Sequence, residues 1–415
     1  MTSTTVTAVR PDGPVQVVEL DLDRPTELNR PGGEPLTAPA GPVLALVRHA
    51  GRPLGLVGSG GPAREVTALC DDVVAAARRE FDHPAPADAP ADPTEPPTVS
   101  VIVCTHNREG ILPRCLDSLL RTGYPHVEVI VVDNAPANDA TETLVQVRYP
   151  DQVRYLREPV AGLARARNRG LAAARGEICA FADDDLVIDA GWVGALAEPF
   201  RRDRRIGCVT GLVLPSELDT PAQRVLERYG GYSKGFAARS WSLADHPDDP
   251  LFPFATGRLG TGANMAFRTD LLRAIGGFDA ATGTGTPARG GEELLAFLRV
   301  LTAGHTIAYR PDALVWHPHP RTMAELNAQV FGFGVGFGAY LTAAVSHRPA
   351  LLAALVRQVP RGVWQTVRRG RGPAEPAARP IARLGRLELR GLLCGPFCYA
   401  LSAWREHALA SGGQS

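Results

Sequence analysis

Two kinds of apolar spacing divide the chain. Residues 15–21, 42–48 and 53–57 read as short strands and 62–81 as a helix. An aperiodic Pro/Ala/Asp-rich run, "HPAPADAPADPTEPP" at 83–97, then interrupts the pattern and reads as an extended linker. Beyond it, "VSVIVCT" (99–105) is an unbroken β-branched apolar run, as expected of a strand buried on both faces. A helix is predicted at 109–122, a strand "VEVIVVD" at 127–133, a helix near 138–147 and a strand "VRYL" at 153–156. A helix at 162–174 and a strand at 177–182 complete the run. Strands alternating with helices predict an α/β, Rossmann-like fold whose mostly parallel sheet is built from βαβ units. The expected organisation is a small N-terminal α+β domain (1–82), a linker (83–97), the main domain (98–322) and a helical C-terminal region (323–415).

In such sheets ligands sit beyond the carboxyl ends of the strands. Three strand ends carry polar residues that should share one crevice: Thr105-His106-Asn107-Arg108, Asp133-Asn134 and Asp183-Asp184-Asp185. Thr105, Asn107, Arg108 and Asp133 suit a nucleoside pocket, although an aspartate ending a strand also serves simply to cap a turn. In "GLARARNRG" (162–170), a spacing of two turns Arg165 and Arg167 to different helix faces. One of these arginines, with Arg167 the candidate, or Asn168 is expected to reach the nucleotide. Three adjacent carboxylates at a buried strand end are costly unless a cation compensates them. Mg²⁺ or Mn²⁺ commonly bridges carboxylates to substrate phosphates. Asp183 and Asp185 are therefore candidate metal ligands, with Asp183 and Asp184 also on the donor side.

In order, "VSVIVCTHNRE", "VEVIVVDNAP", "GLARARNRG", "FADDD", "GTGANMAFR", "GGFD" and "GGEELLAFL" resemble the motif set of glycosyltransferase family 2, over about 99–320. The resemblance implies a GT-A fold, a nucleotide-sugar donor, a divalent cation and transfer with inversion at the anomeric carbon. By matching position, Thr105, Asn107 and Asp133 contact the nucleoside, and Asp183 and Asp185 the ribose, diphosphate and metal. Gly262, Ala263 and Asn264 fall on the acceptor side, while "GGFD" reads as a tight turn. The family usually has Glu-Asp where this chain has Glu292-Glu293, with the Asp as catalytic base. Glu293, one methylene longer, is the expected base here and Glu292 its alternative. In "VWHPHP" (315–320), His317 either completes the metal shell or is unliganded, and His319 is the weaker candidate.

Two rival readings are a sugar nucleotidyltransferase and a catalytically degenerate carbohydrate-binding or scaffold protein. The first calls for a Gly/Lys-rich phosphate loop, where residues 104–110 read "CTHNREG". The second is favoured only by the altered Glu-Glu pair.

Bulk composition changes little. With 44 basic and 44 acidic residues the net charge is zero, giving no global reason to expect a nucleic-acid partner. Lys234 is the single lysine, and with abundant Ala, Gly and Pro this suggests a GC-rich bacterial source of actinobacterial type. Seven cysteines without a CxxC pair read as a reduced, cytoplasmic chain. The N-terminus shows no signal-peptide pattern, and no run of 18 apolar residues is present. Residues 323–345 are apolar and glycine-rich and are expected to be too short to span a membrane. Residues 346–390 carry ten arginines against two glutamates, interleaved with "ALLAALV" and "GVWQTV". That segment reads either as an interfacial helix at an anionic membrane or as a helical cap on the main domain. The first alternative places the protein peripherally at the inner face of the cell membrane. The acceptor expected is a glycan, a lipid-linked group or a small molecule.

Overall fold

The computed structural model describes residues 13–38, 41–59, 65–81, 95–246, 249, 251–357 and 379–412. Most of the expected linker (83–94) and the "GVWQTV" segment lie outside the described residues.

The predicted βαβ run is present, with ends shifted by a few residues. Strand β5 (Val99–Thr105) leads to α2 (Leu112–Leu120), β6 (Val127–Asn134), α3 (Ala140–Arg148) and β7 (Val153–Glu158). Helix α4 (Leu163–Ala173), β8 (Ile178–Asp183), β9 (Val187–Ile188) and α5 (Trp192–Arg202) follow. The second half adds β10 (Ile206–Pro215), α6 (Pro221–Tyr229), β11 (Arg239–Trp241), β12 (Asn264–Arg268), α7 (Thr269–Ala274), α8 (Glu292–Thr302) and β13 (Thr306–His317). One sheet contains all nine strands, in the order β11-β13-β10-β12-β8-β5-β6-β7, with β9 pairing β13. Pairs β5–β6, β6–β7, β5–β8 and β10–β13 are parallel. Strand β12 runs antiparallel between β8 and β10, so the sheet is mixed although most long strands share one direction.

Register explains why the polar strand ends meet. Thr105 pairs with Asp133, and Cys104 with Asp183. Because β12 runs the opposite way, its first residue, Asn264, lies beside Ala182. The loop before β12 is thereby carried to the same sheet edge, and β13 brings His317 there too, opposite Pro215.

The N-terminal residues form a second sheet, β2-β1-β3-β4, from β1 (Gln16–Asp21), β2 (Leu28–Asn29), β3 (Val43–His49) and β4 (Arg52–Ser59), with helix α1 (Val66–Glu80). Side-chain alternation gives this sheet two buried faces. Val18, Leu20, Val43, Ala45 and Val47 pack with Leu69, Val73 and Ala77 of α1. Val15, Val17, Leu44 and Leu46 join the main-domain core around Leu214, Leu218 and Trp316. Arg48 bridges Glu19 (2.8 Å) and Asp189 of the main domain (2.5 Å).

The C-terminal region differs from expectation. Helix α9 (Met323–His347) has 25 residues, opened by a Thr322/Glu325 capping box, and is long and apolar enough to cross a membrane. Half of its apolar window is nevertheless buried within the protein, including Leu326, Val330, Ala339, Tyr340 and Ala343. Helix α10 (Arg379–Gly412) packs along it through glycines. A Cβ at Gly338 would stand 3.0 Å from the Cα of Gly395, and Gly334 and Gly391 are as tightly confined. Facing small-xxx-small pairs let the two backbones touch.

Candidate active site

The strand ends at Asp183, and the turn that follows sorts the three aspartates by burial. Asp183 and Asp185 are half-buried, whereas Asp184 is buried. Thr105 Oγ1 donates to Asp184 Oδ2 (2.7 Å) and Arg108 Nη1 to Asp184 Oδ1 (2.8 Å). Burial pushes the Asp184 carboxyl up, opposed by these donors. Asp184, expected on the donor side, is therefore the carboxylate that fixes the β5 loop. Arg108 also reaches Asp185 Oδ2 (3.1 Å).

Asp185 Oδ1 is buried without a hydrogen-bond partner among the described residues. The Nε2 of His317 faces it at 3.7 Å and faces Asp183 Oδ2 at 4.0 Å. His317 Nδ1 lies 2.7 Å from the Pro318 carbonyl, and donation there leaves a lone pair on Nε2 directed at the two carboxylates. An imidazole whose other nitrogen bonds a carbonyl is a recurrent metal-ligand arrangement. Tyr232 supports the imidazole from 5.2 Å. Among the described residues no group of three or more His, Cys, Asp or Glu side chains is already drawn around one point. The donor set nevertheless fits a hard or borderline divalent cation: two carboxylates, one with an unfilled oxygen, and one imidazole nitrogen.

At the end of β6, Asp133 is fully buried; Tyr155 OH donates to its Oδ2 (3.0 Å), and Oδ1 has no hydrogen-bond partner among the described residues. Burial raises its carboxyl above the ordinary value. Asn107 adopts a left-handed backbone (φ 51°) and accepts from the Ala137 amide at 2.9 Å, joining the two strand-end loops. His106 Nδ1 is 2.6 Å from the Asn134 carbonyl.

The loop before β12 and the start of α8 are tied together by Arg167, which is only 3% exposed. Its Nη1 donates to Glu292 Oε1 (2.9 Å); its Nη2 donates to the Gly262 carbonyl (2.9 Å) and stands 3.4 Å from Asp183. The guanidinium also covers the Phe278 ring at 5.6 Å. It was expected to meet the nucleotide, but its donors bind the protein, and it links the two acidic groups. Glu293, the next residue, makes no ion pair among the described residues. Burial first, and then the Glu292 charge, raise its carboxyl to about 8. Gly262 lies against both residues, since a Cβ there would meet Arg167 Nη2 at 3.2 Å and Glu293 Cγ at 3.4 Å.

Helix α8 starts after Gly291 in the left-handed region (φ 96°), where a Cβ would come within 2.5 Å of the Gly336 carbonyl. Helix α9 thus sets where the two glutamates begin. Ala263 is half-buried beside Gly262, but Asn264 is fully buried. Its carboxamide accepts from Trp192 Nε1 (2.9 Å) and donates to the carbonyls of Leu212 (3.0 Å) and Ala313 (2.8 Å). The expected acceptor contact at Asn264 is thus corrected to a core clamp.

Asn168 is corrected in the same way. Its carboxamide exchanges two hydrogen bonds with the Phe278 backbone (2.7 and 2.9 Å), pinning the "GGFD" turn. His319 contacts Glu227 at 2.6 Å and is buried outside the carboxylate crevice.

Residues 100–276 match the family described as "Glycosyl transferase family 2". The chain is 26% identical over 314 residues to the "Pre-mycofactocin glycosyltransferase" of Mycobacterium tuberculosis, covering 75% of this chain and 61% of that protein. It therefore spans about three fifths of the length of that relative. The "Succinoglycan biosynthesis protein ExoM" of Rhizobium meliloti is 29% identical, covering 56% of this chain and 71% of that protein. Among solved structures, the mannosyltransferase PcManGT from Pyrobaculum calidifontis, in complex with GDP-Man and Mn²⁺, has a TM-score of 0.46 at 22% identity. That similarity covers 81% of this chain and 85% of the other.

Proposed function

We propose that this chain, whose residues 100–276 match glycosyl transferase family 2, transfers a sugar from a nucleotide-sugar donor to an acceptor hydroxyl with inversion. The observation that carries the proposal is the contrast between two adjacent glutamates. Glu292 is tied to a buried arginine, while Glu293 makes no ion pair among the described residues and has a carboxyl raised to about 8. Neighbouring carboxylates in unlike environments are how a site sets aside one group for proton transfer.

In this reading Glu293 takes the acceptor O–H proton as that oxygen bonds the anomeric carbon, and the bond from that carbon to the diphosphate oxygen breaks on the opposite face. Glu292 and Arg167 hold the base in register with Asp183 and the Gly262 backbone. Thr105, Asn107 and Asp133 line the nucleoside end, and Arg108 stands where a diphosphate would lie. Asp183, Asp185 and His317 would hold Mn²⁺ or Mg²⁺. A cation there would supply charge neutralisation of the departing nucleoside diphosphate.

A panel of UDP-, GDP- and dTDP-sugars tests the reading by nucleoside diphosphate release and by NMR of the product's anomeric configuration. The expected result is metal-stimulated turnover of at least one donor with an inverted anomer. Retained configuration would overturn the proposed displacement, and nucleotidyl transfer from a sugar 1-phosphate would favour the rival enzyme class.

A further inference from the structure

The outward face of α10 is built the wrong way round for solvent. Leu389, Leu393, Phe397 and Trp404 recur at helical spacing along one stripe, and the last three are 75%, 74% and 67% exposed. Arg386 and Arg390 fall within the N-terminal half of the same face and are also exposed. The acidic residues of the helix point elsewhere. Glu388 accepts from the Tyr229 hydroxyl, and Glu406 accepts from Arg165 Nε (3.3 Å). The inward face, with Leu384, Gly391, Gly395, Tyr399 and Ser402 buried, packs on the protein.

We infer that this face is a docking surface for an anionic lipid bilayer, on which α10 lies flat. An apolar stripe with arginines beside it and carboxylates turned away complements a negatively charged headgroup layer above acyl chains. This moves the expected membrane contact. The sequence pointed to 346–390, whereas the exposed apolar stripe runs from Leu389 to Trp404. The helix is also bonded to the catalytic domain beside the site, through Arg165–Glu406 and through Tyr399 OH to Asp279 Oδ2 (3.2 Å). Docking therefore fixes the orientation of the site relative to the bilayer. The inference does not depend on the sugar-transfer reading, and its test uses no donor.

Flotation of the full chain with vesicles of equal parts phosphatidylglycerol and phosphatidylcholine, against pure phosphatidylcholine, is the experiment. Binding to the anionic vesicles should weaken roughly 30-fold in Arg386→Gln/Arg390→Gln, two charges at about 1 kcal/mol each. It should also weaken as salt is raised. Leu393→Ser/Phe397→Ser should weaken binding at least about tenfold on both vesicle types, since buried apolar area carries the remainder. If that variant fails to fold, the arginine variant alone decides. No flotation of the wild type, or binding unchanged in both variants, would overturn the inference. So would a lipid-indifferent dimer in light scattering that Leu393→Ser/Phe397→Ser disperses, because a second copy would then cover the face.

Discussion

At the end of β8, Asp184 has Thr105 and Arg108 upon it, and Asp185 has Arg108 at 3.1 Å. At the start of α8, Glu292 has Arg167, whereas Glu293 makes no ion pair among the described residues. The first cluster is compensated by a half-exposed arginine, the second by a buried one. A buried carboxylate whose pKa is raised beside a paired one marks a candidate functional group. Arg167 joins the two clusters through Asp183 and Glu292, so the acids at the end of β8 and at the start of α8 form one electrostatic unit.

The largest expected effect comes from the uncompensated group. Glu293→Gln keeps the shape but cannot take a proton, and the chemical step should fall by about 10²–10⁴-fold with donor affinity little changed. In the wild type, kcat/KM should rise with pH towards a limb near 8, because the base acts deprotonated. Stability should run the other way. With its folded carboxyl raised from 4.5 to about 8, Glu293 contributes stability that is complete below 4.5 and lost as pH rises to about 8. Glu293→Gln should accordingly gain in melting temperature over wild type above pH 8, as differential scanning calorimetry would record. A pH-flat rate with a fully active Gln variant would remove Glu293 from the chemistry.

Arg167→Met comes next. Removing one partner of a buried pair leaves Glu292 charged and unpaired, at a cost of about 3–5 kcal/mol in urea unfolding. A change below about 1 kcal/mol would mean the two clusters are not coupled through this residue. Arg108→Ala should be the mildest. Its side chain is 48% exposed, so its ion pairs contribute within about 0–1 kcal/mol. A large loss there would place the locked arginine on the wrong side of the comparison.

How much of this was readable from the residues varies by element. The strand-end polar groups were legible because parallel strands deliver their carboxyl ends to one edge, and register then sets Thr105 beside Asp133. Arg167 was half legible. It lies three residues after Ala164 and four before Leu171, both buried, so helix spacing already put it on the inner face of α4. Asn264 and Asn168 were misjudged because a motif gives position along the chain and not side-chain direction. An antiparallel β12 turns Asn264 into the core. Tyr155 and Tyr232 carried no local signal, since their partners Asp133 and His317 are remote in sequence. The uncovered face of α10 depends on which side α9 occupies, and only the glycine contacts of the folded pair reveal that.

The claim that the acidic cluster holds a nucleoside diphosphate through a cation is tested most directly by calorimetric titration of UDP and GDP with Mn²⁺ present and after its chelation. Wild-type protein should bind one of these nucleotides tightly only with the metal, and Asp185→Ala should lose that metal dependence together with most of the affinity. Equal binding with and without Mn²⁺ in the wild type, or unchanged metal-dependent binding in Asp185→Ala, would contradict the account.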